Sequence, residues 1–338
     1  MNAAAPSFAH IAAMTDRYGT YEHAEHATPR REHGYCTDDV ARLLVVATRE
    51  PTRSATVLRL ARGALRFLAD AQGVTGRSRN RRTADGRWRG RRTVEDCWGR
   101  SLWGLGTATG HSNRGLAQAA LAYFEHGAQQ RSPWPRAMAF AALGAGPVVA
   151  ADPGHRRALA LLDDAVEIIG TPTTGPDWRW PEPRLTYANA LLPEAMITAG
   201  TALDRPALVR DGLELLGWLL DRETASGHLS VTPVGGAGPH DPTRGFDQQP
   251  IEVATMADAC ARAESVTGSQ HWANGVRMAA AWFDGDNDSG TVMWDTSTGG
   301  GYDGLHAHGP NYNQGAESTL ALISTRQQAR ALLVPAAA

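Results

Sequence analysis

The chain contains no lysine: all 33 of its lysine-plus-arginine positions are arginine. Replacement on that scale reads as compositional bias rather than function. Cysteine is scarce as well. Cys36, Cys97 and Cys260 lie far apart with no C-x-x-C pair, which argues against a disulfide framework or a cysteine-rich zinc site and fits a reducing compartment. No apolar run approaches the roughly 20 residues that a bilayer span needs. Met1 to Arg17 lacks the basic start and continuous apolar stretch of a secretion signal. The sequence therefore predicts a soluble, cytoplasmic protein. A formal net charge of −2 leaves no basic surplus for nucleic acid or an anionic membrane.

What the chain does have is helical periodicity. Its 338 residues, 42% hydrophobic and 20% charged, supply material for a large core. Val57, Leu58, Ala61, Leu65 and Leu68 share one face of a helix over Ser54–Ala71. Similar amphipathic stretches follow at Asn113–His126, Gly154–Ile169, Pro206–Asp221 and His271–Phe283. Between them run helices rich in small and apolar residues: Asp38–Arg49, Val94–Gly106, Trp134–Ala145, Tyr187–Ala202, Pro250–Thr267 and Ala316–Arg330. A helix apolar on most sides is surrounded by others. The alternation gives helical hairpins repeating every 40–65 residues or so, the mark of a toroid or solenoid. Ala5–Met14 could supply the last partner. The expectation is a single all-α, (α/α)6 toroid domain over residues 1–338, with an open solenoid as the alternative.

Connections after the small-residue helices are short, whereas Gln72–Thr93, Gly170–Thr186, Arg222–Gln249 and Gly285–Gly315 are long and rich in aromatics. In an up-down arrangement the long loops share one face, which marks it as the working face. Arg77–Asn80 and Gly86–Arg89, flanking the turn Thr83–Gly86, read as a β-hairpin, and Gly290–Asp295 reads as strand-like.

The segments entering the six small-residue helices carry the chemistry. His33-Gly34-Tyr35-Cys36-Thr37-Asp38-Asp39 enters the first, and Val94-Glu95-Asp96-Cys97-Trp98-Gly99-Arg100 the second. Arg131-Ser132-Pro133-Trp134-Pro135-Arg136 enters the third. The fourth motif runs from Asp177 through Trp178, Trp180, Glu182 and Arg184, with Tyr187 and Asn189 close behind. Phe246-Asp247-Gln248-Gln249-Pro250-Ile251-Glu252 enters the fifth helix. Tyr302 and Asp303, then Asn311-Tyr312-Asn313-Gln314-Gly315-Ala316-Glu317, enter the last. Capping accounts for part of this: Thr37, Thr93, Ser132 and Asn313 suit N-caps, and acids in a first turn suit the helix dipole. Capping does not account for the recurring Trp and Tyr, the Gln248-Gln249 pair, or Arg100, Arg136 and Arg184. Carboxylates, amides, arginines and aromatic platforms around one cavity are what sugar recognition demands, since sugar faces stack on rings while hydroxyls need planar donors and acceptors.

The combination of His33–Asp39, Glu95–Arg100, Asp177–Glu182 and Asp247–Glu252 resembles bacterial proteins of the (α/α)6 glycosidase type. More narrowly, it resembles a sparsely characterised family that goes under the loose names glycosyltransferase and glycosyl hydrolase and is associated with mannoside processing. The resemblance covers Tyr18 to about Ile323 and implies a glycosidase, inverting by analogy with other toroids.

Glycoside hydrolysis needs two carboxyl groups across the scissile bond. The candidates are Asp38, Asp39, Glu95, Asp96, Glu182, Asp247, Glu252 and Glu317. Neighbours on a helix project about 100° apart, so one of Asp38 and Asp39, and one of Glu95 and Asp96, faces the cavity. Those two pairs opposed to one another form the favoured arrangement, with Glu182, Asp247 or Glu317 as replacements. Substrate contacts are expected from His33, Tyr35, Trp98, Arg100, Trp134, Arg136, Trp178, Trp180 and Tyr187. Asn189, Gln248, Gln249, Glu252, Tyr302, Asp303, Tyr312 and Asn313 complete that set. No cofactor or metal is called for, and the partner is the carbohydrate itself.

Eight arginines between Arg77 and Arg92 could hold a phosphate, as a phosphorylase or an acidic sugar would require; the plainer reading is a solvated hairpin paired with nearby acids. Other readings are sugar isomerisation by a histidine base (His33, His240, His306 or His308), a non-catalytic carbohydrate-binding partner of a glycosyltransferase, isoprenoid chemistry, and zinc on His33 and Cys36. The Asp38-Asp39 pair lacks the second acidic element that isoprenoid chemistry uses, and two ligands three residues apart are weak evidence for zinc.

Overall fold

The computed structural model describes residues 5–51, 54–173, 175, 178–241 and 245–333. Helix α1 (Ala9–Ala13) opens the chain, followed by the hairpin α2 (Thr37–Arg49) and α3 (Ala55–Ala71). Four more hairpins follow: α4 (Asp96–Ala108) with α5 (Arg114–Gly127), α6 (Pro135–Ala151) with α7 (Arg156–Ile169), α8 (Leu191–Ala202) with α9 (Pro206–Thr224), and α10 (Pro250–Thr267) with α11 (Gln270–Phe283). Helix α12 (Ala316–Ala331) ends the series. The even-numbered helices touch in sequence order, and α12 returns to pack on α2, so the inner ring closes. Each of α3, α5, α7, α9 and α11 packs outside the inner helix that precedes it, and α1 packs on α12.

The two helix types owe their places to side-chain size and pattern. Helix α3 buries only one stripe, Val57, Leu60, Ala61, Ala64, Leu65 and Leu68, at helical spacing. Helix α6 buries every residue from Arg136 to Ala145. The α4–α6 seam is tight because it is glycine-lined. A Cβ on Gly99 would meet the Ala137 carbonyl, one on Gly106 the Gly144 carbonyl, and one on Gly144 the Leu102 carbonyl. Fully buried Leu44, Leu102, Leu192 and Phe140 each contribute about 1.5–3 kcal/mol of burial. None of the described helices is long and apolar enough to cross a membrane.

Five expectations are corrected. The closing partner is a five-residue stub, α1, rather than a full helix, and the ring closes through direct α12–α2 contact. Helix α6 runs through Pro147 to Ala151; the lost N–H donor is tolerated because Val148 and Val149 beyond it are buried. Helix α8 starts at Leu191, not Tyr187, because the buried Glu252 carboxylate takes the N–H groups of Ala188 and Asn189 and unwinds the approach. The arginine hairpin forms as β4 (Arg81–Arg82) and β5 (Trp88–Arg89), closer to its turn than expected, and pairs with β3 (Tyr35–Cys36). The segment 290–295 makes only an isolated bridge from Trp294 to Gly301; the hairpin of that loop is β6 (Gly304–His306) with β7 (Gly309–Asn311). A further small pair, β1 (Ala24–Glu25) with β2 (Thr28–Pro29), lies before α2.

Candidate active site

The starts of α2, α4, α10 and α12, with the turn before α8, line one cavity of about 440 Å³. The expected N-caps do not cap these helices. Thr37 donates to the Arg79 carbonyl, Ser132 accepts from Trp134 N ahead of α6, Thr93 bonds Glu95, and Asn313 accepts from His26 N. Side-chain caps sit instead on α5, α7 and α11, all outer helices, through Asn113, His155 and Ser269. The inner helices thus present uncapped N-termini, and their positive dipole ends, to the cavity mouth.

Carboxylates dominate the lining: Glu22, Asp38, Asp39, Asp96, Asp247, Asp303 and Glu317. Arg100 joins two of them, with Nε 3.8 Å from Asp38 and Nη2 3.5 Å from Asp96. The Tyr187 hydroxyl donates to Asp96 Oδ2 at 2.9 Å, while the Tyr187 ring lies 4.8 Å beneath the Arg136 guanidinium. Asp38 and Asp96 therefore stand on adjacent helices with one guanidinium between them. In ring order α10 lies opposite α4, and Asp247, three residues before α10, lines the same cavity as Asp96. Burial raises the Asp247 pKa, His306 at 4.0 Å pulls it back in part, and Asp303 adds to the rise.

Asp39 and Glu317 share Arg42, at 2.6 and 2.5 Å. Asp39 is almost wholly buried: burial pushes its carboxyl up, Arg42 pulls it down, and Glu317, Glu22 and Asp38 push it up again. Several buried polar atoms on this wall have no hydrogen-bond partner among the described residues: Asp38 Oδ1, Asp247 Oδ1, Arg42 Nε, and Arg100 Nε and Nη1. Unsatisfied buried groups cost free energy unless water or a ligand meets them, so these atoms mark where water or a polar ligand would be held.

Other expected site residues lie elsewhere. Glu95 and His33 line an adjoining cleft of about 650 Å³, together with Arg81, Arg82, Arg89 and Arg91. Gln249 and Asp303 line the cavity, whereas Glu182, a quarter exposed, is outside its lining and pairs with Arg136 at 2.7 Å. Trp98, Trp180, Tyr35 and Gln248 are fully buried and offer no face to a sugar. Trp98 donates to the Gly127 carbonyl, Trp180 to Glu182, Tyr35 to Asp16, and Gln248 to Asp288, so the rings and the amide hold the scaffold. Trp178 packs edge-on against Trp218. Buried Glu252 binds the backbone before α8 and the Asn189 side chain; burial lifts it to about 7 against the pull of the Asn189 and Ala188 N–H groups. Among the expected contacts Trp134, Tyr187 and Tyr312 have exposed rings, as does Phe246 beside Asp247, and Tyr312 meets Tyr302 edge-on. Asp177 lies outside the described residues.

The sequence reading missed Glu22, His23, Arg42, Asn311 and Ser318 in the lining. Arg42 had a usable signal, since Asp39 and Arg42 are three apart on one helix face. Glu22 and His23 had none, as they precede every helix-start motif. Of the arginine hairpin, Arg81 enters the cavity wall and pairs with Glu22, while Arg82 reaches Asp70 at 3.6 Å and Arg87 reaches Asp85 at 3.4 Å.

A cation site is conceivable where Glu22, Cys36 and Asp39 bring ligand atoms within 4.8 Å of one another. The residues do not fit one. Glu22 and Asp39 already pair with Arg81 and Arg42, and burial with the nearby Asp38 and Asp39 carboxylates holds the Cys36 thiol well above its ordinary pKa. His33 sits in the neighbouring cleft, away from Cys36.

No protein-family model matches the chain, and no curated protein matches its sequence. Solved structures match over nearly its whole length. Cellobiose 2-epimerase from Bacillus thermoamylovorans B4167 superposes with a TM-score of 0.70 at 10% identity, covering 96% of each chain. The fold is the (α/α)6 toroid. A sugar epimerase from a ruminal bacterium gives 0.68 at 11% identity over 95% of each chain. An alpha-1,6-mannanase of Salegentibacter sp. HEL1_6, in complex with alpha-1,6-mannotetrose, gives 0.63 at 10% identity over 96% of each chain. At such identities the likeness is one of architecture.

Proposed function

We propose that this chain is a glycoside hydrolase acting on an oligosaccharide or glycoside, with a mannoside as the first candidate. The observation that carries the reading is the composition of the cavity wall: seven carboxylates, Glu22, Asp38, Asp39, Asp96, Asp247, Asp303 and Glu317, against one histidine, His23. Hydrolysis uses paired carboxyls. Isomerisation by a histidine base would use His33, His240, His306 or His308; none of these is in the lining, His306 comes within 4.0 Å of Asp247 at its edge, and His23 is the lining histidine. That toroids of the same shape include a mannanase and sugar epimerases fits a sugar as the ligand and leaves the reaction to the site chemistry.

In this reading Asp247 is the general acid. A carboxyl raised by burial keeps its proton to higher pH, as protonating a leaving oxygen demands. Asp96 is the base that activates water, positioned by Arg100 and the Tyr187 hydroxyl at the first residue of α4. Asp38, on the other side of Arg100, orients substrate hydroxyls. An inverting reaction would place a water between Asp96 and the anomeric carbon, with the two carboxyl groups roughly 6.5–9.5 Å apart. Exposed Tyr187 offers a ring for a sugar face.

The test is a panel of aryl glycosides and manno-, gluco- and arabino-oligosaccharides, each with and without phosphate, followed by NMR of the released anomer. Inverted product released without phosphate is expected. Phosphate-dependent release would make the enzyme a phosphorylase, and an epimerised sugar without cleavage would make it an isomerase.

A further inference from the structure

The opposite mouth of the ring holds a second polar cavity, of about 700 Å³, lined by residues of α2, α8, α10 and α12. A tilted aromatic pair, Trp103 and Phe140 with centroids 5.5 Å apart, lies between the two chambers. Arg100, from the active-site cavity, rests 4.1 Å from the Phe140 ring; Arg49, from the lower cavity, rests 5.7 Å from the Trp103 ring.

Most charges in the lower cavity are matched. Arg49 binds Asp258 at 2.8 Å, and Arg330 binds Glu50 at 2.8 Å. Asp258 also accepts from Gln328 at 2.5 Å and from Ser324 at 3.2 Å. Two lining groups are left over. Arg262 has no ion pair among the described residues, and its Nε is buried without a hydrogen-bond partner. The Glu194 side chain, in a residue only 4% exposed, makes no hydrogen bond or ion pair among the described residues although it lines the cavity. The charged groups facing Glu194 are Asp258 and Arg262 of α10 and Arg49 of α2.

We infer that this lower mouth binds a small oxyanion, a phosphate or carboxylate, clamped by the Arg262 guanidinium with the Glu194 carboxyl donating to one of its oxygens. An unpaired guanidinium in a walled cavity is a planar fork for such a group. Burial, then Asp258, raise the Glu194 pKa against the pull of Arg262 and Arg49, which favours the protonated carboxyl that can donate. The negative ends of the inner helices weigh little here, because that field fades beyond the last turn and Arg262 stands five residues before the end of α10. The site is independent of the hydrolase reading.

Calorimetric titration of the full chain with inorganic phosphate and with glucuronate tests this and separates the two sources of the anion. At least one probe is expected to bind, and Arg262→Gln to weaken it by about tenfold or more. Arg262→Lys should restore part of the affinity if Arg262→Gln does not fold. Arg81→Gln, in the upper cavity, should leave affinity unchanged. With a probe whose single charge is constant across the range, glucuronate for instance, affinity should fall between pH 7 and pH 9, and Glu194→Gln should flatten that fall. No binding of either probe, or equal affinity in wild type and Arg262→Gln, would overturn the inference. So would a loss confined to Arg81→Gln.

Discussion

The two mouths of the ring are built from the same inner helices, yet their polar groups are organised in opposite ways. At the N-terminal mouth, acids outnumber arginines and share them: Arg100 touches both Asp38 and Asp96, and Arg42 touches both Asp39 and Glu317. At the C-terminal mouth no arginine is seen bridging two acids among the described residues: Arg49 pairs with Asp258 and Arg330 with Glu50, and Arg262 and the buried Glu194 carboxyl stand apart from both pairs. Shared arginines keep several carboxylates clustered and partly unsatisfied, a state suited to proton transfer. One-to-one pairing is quiet chemistry and suits binding. Helix polarity reinforces the difference, since uncapped N-termini favour acids at the first mouth.

The sharpest way to break the comparison is at the proposed acid and base. Asp247→Asn and Asp96→Asn should each lower turnover by roughly 10²–10⁴-fold, with the melting temperature nearly unchanged; a large thermal loss would mark the residue as structural. For Arg42→Ala, chemical denaturation should instead show a stability loss of about 3–5 kcal/mol, because the buried Asp39 would lose the cation it pairs with. Tyr187→Phe removes the hydroxyl that positions Asp96; a fall in kcat of about tenfold is expected, without a change in fold. Trp98→Phe should cost about 1 kcal/mol through the lost bond to Gly127 and leave KM alone, since that indole is core rather than platform.

The smallest effect lies away from both mouths. Glu223, buried and bonded to Thr232 at 2.7 and 2.9 Å, is raised to about 8 by burial against the pull of Thr232. An unfolded glutamate titrates near 4.3, so between about pH 4 and pH 8 the native state holds a proton the unfolded state has released. Stability from this group is greatest below that window and falls as pH rises through it. Glu223→Gln should shrink the difference in denaturation midpoint between pH 6 and pH 8.5.

The fold was legible because it rests on local pattern: helices that must be surrounded are poor in large polar residues, and helices that close the outside carry one apolar stripe. The site was legible only as a location. Trp98 and Trp180 stand in the right motifs but face the core, since a motif at a helix start does not say which way each ring turns. The unwound approach to α8 depends on Glu252, 63 residues further along the chain than Asn189, and no local signal reports such a contact. That Asp96 and Asp247 line one cavity emerges only once the ring brings the starts of α4 and α10 together.

The most direct test of the central claim is the oligosaccharide panel followed by NMR for wild type, Asp96→Asn and Asp247→Asn, with melting curves taken alongside. The account expects the wild type to release a reducing sugar of inverted configuration, and both folded variants to lose that release almost completely. Cleavage at near wild-type rates in either variant, or a wild type that epimerises a free sugar and cleaves nothing, would contradict it.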